Sequence, residues 1–139
     1  MFLLDTNIVS ELRKVRAGKA NPGVVEWVRQ TPTSTTFLSA LSLHELETGI
    51  LRAERSDPDK GAILRAWLEN DVKASFDRRV ISVDGSVAIA AAPFHVPDRA
   101  PLADALIGAT ALVHGMHVVT RDEADFRRFS GVRVVNPWT

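Results

Sequence analysis

Residues 2–12 read F-L-L-D-T-N-I-V-S-E-L. Phe2, Leu3 and Leu4 form a short unbroken apolar run, the pattern of a strand buried on both faces. The run ends on a carboxylate, Asp5, and then Ile8, Val9 and Leu12 recur near helical spacing. A strand that feeds at once into a helix is the building unit of a parallel sheet. Asp5 therefore stands at the carboxyl end of a buried strand, where open α/β sheets hold their ligands. It also has an ordinary reading as the cap of the helix that follows, a role Thr6 and Asn7 fill equally well.

The rest of the chain repeats the alternation. Residues 2–5 read as a strand and Asn7 to about Lys14 as a helix. Asn21-Pro22 is a helix start, with Asn as cap and Pro at the first helical position. Thr35 to Ala40 is β-rich, Ser42 to about Arg55 is helical, and Pro58 starts another helix. Val80–Val83 reads as a strand with Asp84 capping the next helix. Pro101 to His114 is a helix closed by Gly115. His117 to Thr120 is a strand, Asp122 to Phe129 a short helix, and Val132 to Val135 the last strand. Short apolar strands between amphipathic helices predict an α/β fold, with a mostly parallel central sheet and helices on both faces. At 139 residues, one domain spanning 1–139 is expected.

Composition narrows the function. The chain is 45% hydrophobic and 24% charged, as in ordinary globular proteins. It has no cysteine, which excludes disulfide scaffolds and thiolate metal sites and suits a reducing cytoplasm. A strand starting at residue 2 leaves no room for a signal peptide, and the apolar stretches around Val87–Phe94 and Ala105–Val113 are too short for a membrane span. The net charge is zero, so any basic surface for a partner must be local. The four histidines show no metal-ligand spacing, and neither a nucleophile elbow nor a phosphate-binding glycine loop occurs. Trp27, Trp67 and Trp138 sit among apolar neighbours and read as packing residues. The pairs Arg13-Lys14, Arg78-Arg79 and Arg127-Arg128 read as solvated faces.

The chemistry rests on acids in unusual places. Asp104 is the only ionisable group between Arg99 and His114, on a helix apolar nearly all round. A buried lone carboxylate costs several kcal/mol, on the order of five times what a first-turn dipole interaction returns. An arginine, a set of donors or a metal must compensate it. Glu45 fits the capping box S-x-x-E with Ser42, which makes it structural on its own. Asp122 follows the strand His117–Thr120 as Asp5 follows the first strand, and reads equally as site or cap. Asp125 reads as a cap.

If Asp5, Glu45, Asp104 and Asp122 converge, their mutual repulsion is relieved by protons or by a cation. Oxygen ligands without His or Cys select Mg²⁺ or Mn²⁺ over zinc. Such an ion activates water and neutralises charge on a phosphodiester, which points to nucleic-acid hydrolysis. Thr6, Asn7 and Thr120 are placed to hydrogen-bond these acids. Two other acid-pocket classes fit less well. A haloacid-dehalogenase-like phosphatase wants D-x-D-x-T where this chain has Asp5-Thr6-Asn7, and a receiver wants a lysine where Arg121 follows Thr120.

Five segments in order resemble one family: L-L-D-T-N-I-V-S-E-L, L-S-L-H-E-L-E-T-G-I, P-L-A-D-A-L-I-G-A-T-A-L-V-H-G, V-V-T-R-D-E-A-D-F and V-V-N-P-W, spread over residues 3–138. The chain resembles the VapC-type toxin ribonucleases of the PIN-domain superfamily, FitB-like branch. The resemblance implies a Mg²⁺- or Mn²⁺-dependent endoribonuclease, the toxin of a toxin–antitoxin pair. It carries the family's acids onto Asp5, Glu45, Asp104 and Asp122, and so assigns Glu45 to the site. It also implies a homodimer, inhibition by a cognate VapB-type antitoxin, promoter DNA bound only through that antitoxin, and no membrane. The alternative is a non-catalytic scaffold that supports DNA binding by the antitoxin.

Overall fold

The computed structural model describes residues 1–139. Five strands form one sheet: β1 (Phe2–Leu4), β2 (Thr36–Ser39), β3 (Val80–Ile81), β4 (His117–Val119) and β5 (Arg133–Val135). Their order is β3-β2-β1-β4-β5, and every pairing is parallel. The chain steps outward from β1 to β3, then crosses back to lay β4 on the other side of β1. The order reverses between β1 and β4, and a ligand crevice opens above such a reversal, at the strands' carboxyl ends.

The strands are short and apolar because both of their faces are covered. Leu3 and Val118 point to one side, into a core with Val87, Ala91, Ala105 and Ile107. Their neighbours Leu4 and Val119 point to the other, into a core with Ile8, Val9, Leu46 and Ile50. Alternation of side chains along a strand accounts for the split. The first core is roofed by α6 (Gly85–Ala91) and α7 (Leu102–His114), the second by α1 (Thr6–Leu12) and α3 (Ala40–Ser56). Between these, α2 spans Pro22–Gln30, and α4 spans Pro58–Trp67. A widened π-helical turn at Leu68–Val72 then leads to α5 (Lys73–Ser75), and α8 is Glu123–Arg127.

Asn21 caps α2 with Pro22 behind it, and Gly115 ends α7 in the left-handed conformation at φ 66°, as read from the sequence. One expected start is corrected. The helix bearing Glu45 begins at Ala40, capped by Ser39, whose hydroxyl accepts from the Leu41 N–H. Ser42 lies inside that helix, fully buried and without a hydrogen-bond partner, so the S-x-x-E box does not form. Strand β2 ends at Ser39, and the first serine past the sheet takes the cap.

Gly61 marks the closest approach of α4 to α3. A Cβ there would meet the Glu54 Cα at 2.5 Å, backbone that cannot swing aside. Gly61→Ala is expected to cost about 1–3 kcal/mol, the usual range for overpacking. Urea unfolding checks this, and an unchanged midpoint would contradict it.

Candidate active site

Asp5 leaves β1 in extended geometry and caps α1. Its Oδ1 accepts from the Thr6 N–H at 2.8 Å. Its own N–H donates to the Val119 carbonyl at 2.9 Å, so the residue is pinned across the β1–β4 reversal. The cap reading from sequence is therefore correct, and it uses only one carboxylate oxygen. The other, Oδ2, accepts from the Thr120 hydroxyl at 2.9 Å.

Thr120 is fully buried and works as a hub. Its Oγ1 also accepts from the Asp122 N–H at 3.0 Å and the Asn7 Nδ2 at 3.2 Å. Asn7 Nδ2 reaches the Asp122 Oδ2 at 3.2 Å as well, and Asn7 Oδ1 accepts from the Arg121 N–H at 3.4 Å. Asp122 makes no side-chain cap for α8, contrary to its structural reading. On the other flank, the Thr6 hydroxyl donates to Glu45 Oε1 at 2.8 Å and ties α3 to α1. Thr6, Asn7 and Thr120 thus hold Asp5, Glu45 and Asp122 by hydrogen bonds.

Asp104 comes from the first turn of α7, which carries no side-chain cap. Its side chain keeps 28% of its exposure, so it is less buried than the apolar sequence around it implies. The first turn of α7 is where the helix emerges past the sheet: Leu102 is 66% exposed, whereas Ile107 is fully buried. The nearest cation is Arg128, at 3.9 Å.

The acids share one electrostatic field. Burial pushes the Asp5 carboxyl from its ordinary 3.8 up to about 6. The bonds from Thr120 and Thr6 work against that rise, and the charges of Glu45 and Asp104 add to it. Burial also raises Asp104, followed by the Asp125 charge; Arg128 opposes, and Glu45 and Asp122 contribute further. Asp5 is only 8% exposed, yet no lysine or arginine pairs with it. A buried carboxylate raised to about 6 with no counter-ion fits a hard cation's donor chemistry.

The acids influence one another's charge without closing on one point. No three of them stand as a ready metal-binding group. Mg²⁺ is ordinarily held by one or two carboxylates with water and substrate phosphate completing its shell. The chemistry of these oxygen donors is compatible with an ion held in that way.

Sequence reading missed two members of this field. Asp125 was read as a cap and Arg128 as solvated, yet both act on Asp104. The signal was present: Phe126 and Phe129 are the buried face of this segment. Asp125 and Arg128 each precede one of them, so they share an edge beside that face.

A family model for the PIN domain matches residues 2–132. The chain belongs to the PIN-domain family. Among PIN-domain relatives, the VapC ribonuclease Y4jK of Sinorhizobium fredii is 32% identical over 143 residues, covering 99% of this chain and 98% of that protein. Toxin FitB of Neisseria gonorrhoeae is 33% identical over 144 residues, covering 99% of each. A solved structure of FitAB bound to an IR36 DNA fragment superposes with a TM-score of 0.85 at 31% identity, covering 100% of this chain and 96% of that one. The PIN-domain sheet expected from sequence is thus found, with all of its strands parallel.

Proposed function

We propose that this chain is the toxin of a type II toxin–antitoxin pair, a Mg²⁺- or Mn²⁺-dependent endoribonuclease that acts in the cytoplasm. The observation that carries this reading is Asp5: a buried carboxylate without a counter-ion, at the sheet's reversal, in the field of Glu45 and Asp104. VapC ribonuclease and FitB toxin relatives that span nearly the whole chain supply the reaction class. Asp5 and Asp104 would hold the ion, with Glu45 and Asp122 contributing directly or through water. The bound ion would activate water and offset charge on the scissile phosphate.

The chain's own residues do the rest. Thr6 and Thr120 each fix one oxygen of Asp5. Thr6 holds one oxygen of Glu45 and leaves the other without a hydrogen bond from the chain. Asn7 fastens Asp122 to the Asp5 side of the site. Arg128 stands beside Asp104, where a cation can meet an RNA phosphate. We further propose a homodimer held in check by a cognate VapB-type antitoxin, with promoter DNA bound through the antitoxin. A FitAB complex bound to DNA, at 31% identity to this chain, supports the pairing with an antitoxin on DNA.

Adding the cognate antitoxin to a cleavage reaction tests the proposal. Stoichiometric antitoxin should stop cleavage of RNA, and cleavage that continues at full rate would contradict the assignment. A non-catalytic scaffold is the second reading, favoured by the absence of any three-carboxylate group. It requires that Asp5→Asn leave toxicity unchanged.

Metal binding should depend on pH in a defined sense. An ion competes with the proton for Asp5. Above about 6 the carboxylate is free, and below it the affinity for Mn²⁺ should fall by roughly tenfold per pH unit. Calorimetric titration with Mn²⁺ at pH 5 and 7.5 reads this, and equal affinities would rule Asp5 out as a ligand.

A further inference from the structure

The last four residues, Asn136–Thr139, leave β5 and cross the molecule as a strap. At one end Asn136 Nδ2 donates to Glu123 at 3.0 Å, beside Asp122, while its Oδ1 accepts from the Trp138 N–H at 3.0 Å. In the middle, the Arg121 guanidinium lies 5.8 Å from the Trp138 ring centre, within cation–π range. At the far end Thr139 bonds Asn21 twice through the backbone: its N–H donates to Oδ1 at 3.1 Å and its carbonyl accepts from Nδ2 at 3.0 Å. A Cβ on Gly23 would collide with the Pro137 carbonyl and with Thr139, so the strap lies flush on the start of α2.

That far end is tied back to the site. Asn21 N–H donates to Glu11 at 2.7 Å, and Glu11 is a carboxylate only 9% exposed on α1, the helix that Asp5 caps. Lys14 pairs with the same carboxylate at 3.0 Å. A ring of contacts results, from Asn7 along α1 to Glu11, through Asn21, Thr139 and Trp138 to Arg121, whose N–H returns to Asn7 at 3.4 Å. The Arg121–Asp122 loop is therefore held from inside by Thr120 and Asn7 and from outside by the strap. Backbone and side-chain bonds on both sides of Asp122 restrict it far more than β4 alone would.

We propose that the strap Asn136–Thr139 sets the position of Asp122 against Asp5, with Asn136 and Trp138 as positioning residues for RNA cleavage. The inference rests on the nuclease reading above. Its structural half is tested without activity, by amide hydrogen exchange on the full chain. Asn136→Ala cuts both bonds of that side chain, and Trp138→Ala removes the surface under Arg121. Either should speed exchange of the Arg121 and Asp122 amides roughly tenfold while the Asp5 amide, in the β1–β4 ladder, keeps its wild-type rate. In cleavage assays the same variants should lose kcat roughly tenfold with KM within about twofold, and Trp138→Phe should restore kcat. Unchanged exchange at Arg121 and Asp122 would overturn the proposal, as would faster exchange everywhere, which marks a purely structural strap. Local loosening with wild-type kcat would overturn the catalytic half. If the wild-type chain cleaves no RNA, the nuclease reading fails and the catalytic half fails with it, while exchange still decides the strap.

Discussion

Asp5→Asn is expected to abolish RNA cleavage and at the same time to make the metal-free protein more stable. The two effects share one cause. Folding lifts the Asp5 carboxyl from 3.8 to about 6, so at neutral pH the folded chain carries a charge it would rather not bury. The sign follows from linkage. Between pH 3.8 and about 6 the folded state binds a proton that the unfolded state has released, so stability falls as pH rises through that window. Above it the penalty is complete, at about 3 kcal/mol. A neutral amide of the same shape removes it. The variant should gain about 1–3 kcal/mol at pH 7.5 and lose that advantage near pH 4, where both carboxyl and amide are uncharged. Thermal unfolding of both proteins at the two pH values measures this. Cleavage should drop by more than about a hundredfold, since the amide cannot replace the charge that holds the ion. A variant that is destabilised at pH 7.5 would show that Asp5 is a structural cap first.

Thr120→Val is expected to damage the site from beneath. Valine copies the shape and deletes the hydroxyl. Three contacts vanish together: the bond donated to Asp5, and those accepted from Asn7 and from the Asp122 backbone. The Asp122 N–H then loses its partner, at a cost of about 0.5–1.5 kcal/mol. The Thr120 bond is also the strongest influence holding the Asp5 carboxyl down. Without it the carboxyl rises further, and the acid limb of the pH–rate profile should move to higher pH. At pH 7 activity should fall by at least about tenfold, and raising the pH should recover part of it. A profile that keeps its wild-type midpoint would separate Thr120 from the titration of Asp5.

Much of this arrangement was legible in the chain. The apolar residues of Phe2–Leu4 and the pair Val118-Val119 declare buried strands because their two faces feed two cores. Asn21 and Gly115 mark helix ends by conformational preferences that tertiary contacts did not override. Asp5 and Asp122 are visible because strand ends are where an acid has no packing reason to be. Convergence was not legible from spacing, since Glu45 reaches Thr6 across 39 residues and Asp122 reaches Asn7 across 115. Motif matching misread Glu45 outright: two serines precede it, and the strand's end, which local sequence does not locate to one residue, selects Ser39 as the cap. Asp104 was placed correctly in its helix but too deep, because an apolar composition says nothing of where a helix clears the sheet. The strap could not be foreseen at all, for Asn136 and Trp138 act through partners at Glu123 and Arg121 that only the fold brings near.

The decisive experiment is cleavage of total cellular RNA by antitoxin-free protein, with Mg²⁺, with Mn²⁺ and with EDTA, wild type beside Asp104→Asn. Circular dichroism confirms that both proteins are folded. Discrete fragments should form only with wild-type protein and only with metal, and should be absent with Asp104→Asn under every condition. Cleavage at the wild-type rate in EDTA, or by Asp104→Asn, would contradict a carboxylate-held ion. A folded wild-type protein that neither binds metal nor cuts RNA would leave the scaffold reading in its place.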